Sequence, residues 1–324
     1  MVVLSALLFF VGIALLIYSV EELIENITKT AILTGVSAFL IAVLFTGMDF
    51  ENWAFGVTAI IEGLSGVAIG SAFGSALFLV GVSVALAGVL VPFKPDVPSE
   101  YLLLLAVSPL FALPFLIDGS LSRLDGVVLL VIFGGILGYL YWQERRGQET
   151  FRDEETEEAR EELRSNGHKS WYYLGLVGLF TLGMIVGSEL AVEGARGILS
   201  AAGVNGTVFG MTVVGLVLSL EEILLVIEPV RAGRSSIAVG NIVGSLIFFT
   251  TGNIGLLAVV QPFTVDQSVV LFYWPAVFVI TLLTAVFLYR GRIQRPEGVL
   301  FGVLYLVYWI LSYVYFAGDS LITW

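Results

Sequence analysis

One part of this chain is written twice. Tyr18–Val36 (YSVEELIENITKTAILTGV) lies over Val186–Val204 (VGSELAVEGARGILSAAGV) at an offset of 168 residues without a gap, so Glu21 falls on Glu189, Glu25 on Glu193 and Gly35 on Gly203. At an offset of 170, Gly47–Asn52 (GMDFEN) lies over Val217–Glu222 (VLSLEE), and Gly70–Leu79 (GSAFGSALFL) over Gly240–Phe249 (GNIVGSLIFF). Both copies set carboxylates inside otherwise apolar segments. Duplicated halves with polar, interrupted hydrophobic segments at matching places point to a secondary transporter with its site near the midplane.

The solvent for such a chain is lipid. Hydrophobic residues make up 58% and charged residues 13%, with a mean hydropathy of +0.97, against about 25% charged in soluble domains. Apolar runs long enough to span recur near 3–20, 31–61, 66–92, 100–117, 124–142, 171–199, 206–230, 236–260, 268–289 and 297–316. The fold class expected is therefore an all-α polytopic membrane protein of about ten transmembrane helices. MVVLSALLFF at the start lacks the basic region and small-residue cleavage site of a signal peptide and reads as a retained span. A net charge of −12 argues against nucleic acid as a partner. With no cysteine, disulfides and thiolate metal sites are excluded. The single histidine, His168, lies in the most charged stretch and reads as a loop residue. Twelve arginines against three lysines, with an isoelectric point near 4.5, hint at a salt-adapted source.

Three regions follow. Residues 1–142 form a first five-helix repeat and 171–324 a second, joined by a charged linker over 143–170. Within the linker, EETEEAREELR (Glu154–Arg164) reads as a solvated helical segment with i,i+4 pairs. Placing the linker in the cytoplasm puts thirteen basic residues inside, among them Lys29, Lys94, Arg231, Arg234, Arg290, Arg292 and Arg295, and leaves only Arg123 and Arg196 outside. That asymmetry sets the orientation, with both termini extracellular in the cell membrane. Five spans per half is an odd number, so the second half enters from the opposite side and the repeat is inverted.

The matched segments resemble the two alpha-repeats of the sodium/calcium exchanger family, within the calcium/cation antiporter superfamily. The typical family pattern is G-L-T-x-x-A-x-G-T-S-x-P-E-L followed by G-N-x-x-G-S-N-x-x-N/D. Here the second repeat reads FGMTVVGLVLSLEEI (Phe209–Ile223) and VGNIVGSLIFF (Val239–Phe249), and the first LIAVLFTGMDFENW (Leu40–Trp53) and IGSAFGSALFL (Ile69–Leu79). The resemblance implies a ten-helix transporter with an ion site between the second, third, seventh and eighth helices. By position, the family's site glutamates fall on Asn52 and Glu222, its neighbouring hydroxyls on Met48, Asp49, Leu218 and Ser219, and its polar pair on Leu79 and Phe249. Only Ser219 and Glu222 are ordinary family residues. Asp49 replaces a serine, and Glu51 and Glu221 replace the two motif prolines, removing a major cause of helix breaks.

The residues carry their own argument. A carboxylate near the bilayer centre costs roughly 2.5–3.5 kcal/mol even on lenient scales, so Asp49, Glu51, Glu221 and Glu222 should face protein or water and meet a counter-charge. Neither motif holds a lysine or arginine, which leaves a metal ion or a proton. Asp49 with Asn52, and Ser219 with Glu222, share helix faces three residues apart. Glu51 and Glu221 flank them, turned by about 100°. Carboxylate, amide and hydroxyl oxygens suit hard cations such as Ca²⁺ and Na⁺, and close carboxylates repel, which makes proton exchange plausible.

Asn241, an amide in an apolar helix with Ser71 at the matching position, is expected to bond across to the opposing motif helix. Gly66, Gly70, Gly74, Gly240 and Gly244 have the spacing for close helix packing. Thr250, Thr251 and Asn253 lie beyond Phe249 and are candidates for the ligand lost there. Glu21, Glu25, Glu189 and Glu193 read as solvated helix ends or as cation-attracting mouths. The expectation is a cation antiporter, not an enzyme and without a resident cofactor, whose partners are metal cations and the bilayer. It exchanges a metal ion, Ca²⁺ first, against Na⁺ or H⁺. The alternatives are H⁺ coupling and a non-transporting homologue acting as membrane sensor or partner subunit. An intramembrane aspartyl protease lacks its second facing aspartate.

Overall fold

A computed structural model describes residues 2–34, 48–94, 99–144 and 170–316. The first half of the second span (35–47), the linker charges and His168 (145–169) and the last residues (317–324) lie outside the described residues.

The described chain is helical throughout, with two short strands. Its helices are α1 (Val2–Thr34), α2 (Phe50–Ile61), α3 (Ser65–Leu90), α4 (Ser99–Leu116), α5 (Arg123–Glu144) and α6 (Ser170–Ala202). A broken helix follows, α7a (Gly206–Leu218) and α7b (Glu222–Arg231), then α8 (Ser235–Val260), α9 (Val269–Tyr289) and α10 (Arg295–Phe316). Among the described residues eight helices are long and apolar enough to cross a bilayer, and the bent pair α7a/α7b makes a ninth. With α2 as the described part of the span read over 31–61, the chain is an all-α, ten-helix, multi-pass membrane protein. Large apolar side chains such as Leu7, Phe10, Leu182, Leu306 and Ile310 are exposed on its outside, a surface suited to lipid rather than water.

Burial divides the helices into pillars and periphery. In α3 and α8, 78% and 83% of the apolar window is buried, against 22–39% in the other six full-length spans. Both pillars carry a π-helical segment at matching positions, Leu79–Val84 and Phe248–Gly252. Small residues bring α3 against α7a. A Cβ added at Gly70 would stand 2.7 Å from the Met211 nitrogen, and one at Gly74 would stand 2.4 Å from the Met211 carbonyl oxygen. Only glycine permits that approach.

Helices α1 and α6, each of 33 residues, pack along one another at the side of this core. At about 1.5 Å per residue they are near 50 Å long, more than the roughly 30 Å hydrocarbon core. The sequence reading of α1 as 3–20 was short because the polar run after Val20 continues the same helix. Glycines again set the contact: a Cβ at Gly12 would lie 2.3 Å from the Ala191 nitrogen, and one at Gly194 would lie 2.3 Å from the Phe9 nitrogen.

The inverted relation of the halves is visible in two clasps. Strand β1 (Ser120–Leu121), after α4, pairs antiparallel with β2 (Phe263–Thr264), after α8, with Leu121 opposite Phe263. Phe93, before α4, forms an antiparallel bridge with Ile293, between α9 and α10. Phe93 and Phe263 are matched residues of the two repeats, and α4 runs from one clasp to the other. The same device therefore sits on opposite faces of the molecule.

Candidate functional site

Each sequence motif begins a helix at the centre of the molecule. Asp49 is the N-cap of α2, with extended backbone (φ −76°, ψ 96°). Its carboxylate is doubly used: Oδ1 accepts from the Asn52 backbone N–H at 2.7 Å, and Oδ2 accepts from Asn52 Nδ2 at 2.7 Å. The remaining atom of that amide, Asn52 Oδ1, accepts from Ser75 Oγ of α3 at 3.0 Å. Ser75 also lies 3.5 Å from the Gly215 carbonyl of α7a. Asp49 and Asn52 thus meet as cap and third helical residue rather than as neighbours on one helix face. An aspartate supplies both the N-terminal hydrogen bond and a favourable charge at the positive end of the helix.

The second motif breaks its helix by 43° between Leu218 and Glu222. No proline is present there; Ser219 leaves the helical conformation (φ −105°, ψ 16°) and ends α7a. Glu222 begins α7b and sends its carboxylate to the α8 pillar, where Oε2 accepts from Asn241 Nδ2 at 2.6 Å and Oε1 from Ser245 Oγ at 3.2 Å. The break leaves carbonyls at the negative end of α7a and places the carboxylate at the positive end of α7b, an arrangement suited to an ion.

These halves meet. Asp49 and Glu222, both buried, stand within electrostatic reach of each other, and Glu51, also buried, lies against Asp49 and near Glu221. Two carboxyl groups in contact require a proton or a cation between them. Ser219 is fully buried beside Glu222, and among the described residues its hydroxyl has no partner. Among the described residues no three His, Cys, Asp or Glu side chains converge as a ready metal cage, so a cation here would be held by two carboxylates supplemented by amide, hydroxyl and carbonyl oxygens.

Other candidates are placed elsewhere. The Ser71 hydroxyl donates to the Ala68 carbonyl of its own helix at 2.9 Å. Its role across to α2 is taken by Ser75, one turn on, which the sequence reading missed. Ser75 and Ser245 are matched hydroxyls of the two repeats, and that equivalence was the available signal. Leu79 and Phe249 are fully buried and lie at the start of the two π-helical segments, Leu79 as the first residue of one and Phe249 as the second of the other. Thr250 and Thr251 donate to carbonyls of their own helix.

At the helix ends, Glu21 and Glu189 are exposed, Glu25 pairs with Lys29, and Glu193 pairs with Arg196 at 3.1 Å. Arg196 also reaches Glu62 at the end of α2, at 2.6 Å.

Known proteins share this architecture. The profile of the family described as sodium/calcium exchanger protein matches residues 4–142 and 172–314. An uncharacterized membrane protein of Methanocaldococcus jannaschii is 28% identical over 312 residues, 95% of this chain and 97% of that one. The sodium/calcium exchanger MaX1 of Methanosarcina acetivorans is 23% identical, covering 97% of this chain and 99% of its own. Solved structures of the sodium-calcium exchanger NCX_Mj, soaked with Na⁺ and Sr²⁺, superpose with a TM-score of 0.59 at 25% identity, over 95% of this chain and 98% of theirs. A match to both halves and the ten-helix inverted architecture agree: this chain belongs to the sodium/calcium exchanger family of cation antiporters.

Proposed function

We propose that this protein exchanges a metal cation, Ca²⁺ first among candidates, against Na⁺ or H⁺ by alternating access to one central site. Asp49, Asn52 and Ser75 form one wall, Glu222, Ser219, Asn241 and Ser245 the other, and Glu51 and Glu221 flank the two acids. The observation that carries the reading is the meeting of two buried acids at two helix starts with, among the described residues, no basic side chain paired to them. A cation at their midpoint offsets their mutual repulsion and the cost of burying them. Alternation is supported by the long α1/α6 pair, which lies beside the pillars on glycine contacts. The charge asymmetry of the loops supports an orientation with both termini outside and the 143–170 linker inside.

The contact of Glu51 with Asp49 favours a second reading of the coupling, in which a proton is the counter-ion. Uptake of ⁴⁵Ca²⁺ into proteoliposomes under an imposed Na⁺ gradient, and separately under a pH gradient, decides between the two. If neither gradient drives flux and neither Ca²⁺ nor Na⁺ raises the thermal midpoint, the exchanger reading fails and a non-transporting homologue takes its place.

A further inference from the structure

Beyond the central site, two buried polar side chains occupy matched positions in the repeats. Asn253 and Ser83 are 170 residues apart, both are fully buried, and among the described residues neither Asn253 Nδ2, Asn253 Oδ1 nor Ser83 Oγ has a hydrogen-bond partner. Ser83 lies within the π-helical segment of α3, and Asn253 directly follows that of α8. Their neighbours behave otherwise: the hydroxyls of Thr250 and Thr251 fold back onto helix carbonyls. A buried amide or hydroxyl without a partner is costly and needs a water or an ion to satisfy it. π-Helical segments in turn concentrate at functional positions.

Register places the two with respect to the centre. Leu257 packs on Gly56 of α2, its Cδ2 3.0 Å from where a Cβ would stand. The C-terminal ends of α2 and α8 line one open cavity of about 500 Å³ with Ile60, Gly63, Gln261 and Pro262, so the two helices run the same way. One turn back from that contact, Asn253 lies on the same side of α8 as Leu257, and the Trp53 indole N–H of α2 is, among the described residues, also buried and unpaired. Asn253 follows Ser245 by eight residues toward this face, and Ser83 follows Ser75 by eight toward the other. At about 1.5 Å per residue, each stands roughly 12 Å along its helix from the central hydroxyl.

We propose that Asn253 and Ser83 are additional cation-contacting residues. One lies on each side of the central site, where an ion with part of its water shell is held between the centre and the nearer membrane face. Asn253 offers a carbonyl oxygen to the ion and an amide N–H to its water, and Ser83 a hydroxyl that serves as either. This assignment rests on the exchange reading.

The test uses the full chain in proteoliposomes. Asn253→Leu and Ser83→Ala should each slow ⁴⁵Ca²⁺ exchange by about tenfold or more, as expected for loss of one ion contact. The Ca²⁺ concentration that half-saturates thermal stabilisation should stay within about twofold of wild type, because the central ligands are untouched. Wild-type exchange rates in either variant, or a parallel loss of central affinity, overturn the assignment. Should Asn253→Leu fail to fold, anomalous scattering from wild-type crystals soaked in Sr²⁺ decides: a second peak at coordination distance from Asn253 Oδ1 supports it, and a central peak alone overturns it. Absence of any flux in the wild type sinks the exchange reading instead, and the Sr²⁺ map still tests the two positions.

Discussion

Glu222 gives the sharpest prediction because two effects of opposite sign meet in one side chain. Its carboxylate is buried, accepts from Asn241 at 2.6 Å and from Ser245 at 3.2 Å, and faces Asp49. Glu222→Gln keeps the shape. The new Oε1 still accepts from Asn241, and the new N–H donates to Ser245 Oγ, since a hydroxyl serves as donor or acceptor. Without an ion, removing this charge should stabilise the fold by roughly 2.5–3.5 kcal/mol, a rise in thermal midpoint of about 5 °C or more. With an ion the sign reverses. Two unit charges 4 Å apart attract by roughly 4 kcal/mol at an effective dielectric constant near 20, so affinity for a monovalent cation should fall by about a thousandfold, and more for a divalent one. Glu222→Ala also loses the ion but leaves the Asn241 amide unpaired, at a cost of about 1–3 kcal/mol, so its ion-free midpoint should lie below that of Glu222→Gln. Thermal melts with and without Ca²⁺, followed by ⁴⁵Ca²⁺ flux, read all three. A Glu222→Gln protein that melts earlier than wild type without ions, or keeps its Ca²⁺-induced shift, refutes the charge argument.

Further predictions separate the moving parts and the orientation. Gly12→Ala drives a methyl to 2.3 Å from the Ala191 nitrogen; α1 and α6 should part, lowering the thermal midpoint by the equivalent of about 1–3 kcal/mol and slowing exchange. Half-saturation of the Ca²⁺ shift should stay unchanged, and a weakened central affinity would count against the division into pair and core. Arg196→Ala removes the 2.6 Å pair with Glu62 on an exposed surface, so its stability effect should be under about 1 kcal/mol and vanish in high salt; a large, salt-independent loss would show a structural role for that pair. Because the chain has no cysteine, single-site labelling tests sidedness directly. Glu62→Cys should react with an impermeant maleimide on intact cells and Arg292→Cys only after permeabilisation, and the reverse pattern overturns the orientation.

Much of the fold was legible because lipid demands long apolar helices, and duplication betrayed the inverted halves. Phe93 and Phe263, one in each clasp, are not an obvious motif, yet they keep the repeat offset. Helix breaks were harder to read. Without proline, a periodic pattern runs straight through Leu218–Glu222, and the 43° bend goes with tertiary contacts, such as those of Glu222 to Asn241 and Ser245, that sequence does not display. The far end of α1 was lost for a related reason: Glu21, Glu22 and Glu25 end the hydropathy signal while the helix continues to Thr34. At the site, acids stood out by their cost in lipid, whereas Ser75 and Ser245 did not, because buried helical serines usually satisfy themselves on their own backbone, as Ser71 does.

The side chains of the α2 half form a chain of donors and acceptors that can run in either direction. As it stands, Asn52 donates to Asp49 and accepts from Ser75. In Asp49→Asn, the new amide can keep its oxygen on the Asn52 backbone N–H and donate to a flipped Asn52 Oδ1. Asn52 Nδ2 would then turn to Ser75, whose hydroxyl can accept while donating to the Gly215 carbonyl. Every group stays satisfied, and asparagine caps helices as well as aspartate does. Asp49→Leu has no such solution: it loses the cap and leaves the Asn52 amide half-paired, a cost of about 2–4 kcal/mol from the two losses together. Asp49→Asn should therefore melt within about 2 °C of wild type or above it, and Asp49→Leu at least about 4 °C below, although both lose charge at the site. Equal destabilisation would mean that charge at Asp49, rather than its hydrogen bonds, holds the start of α2. In that case the resting site would already depend on a bound cation for its shape.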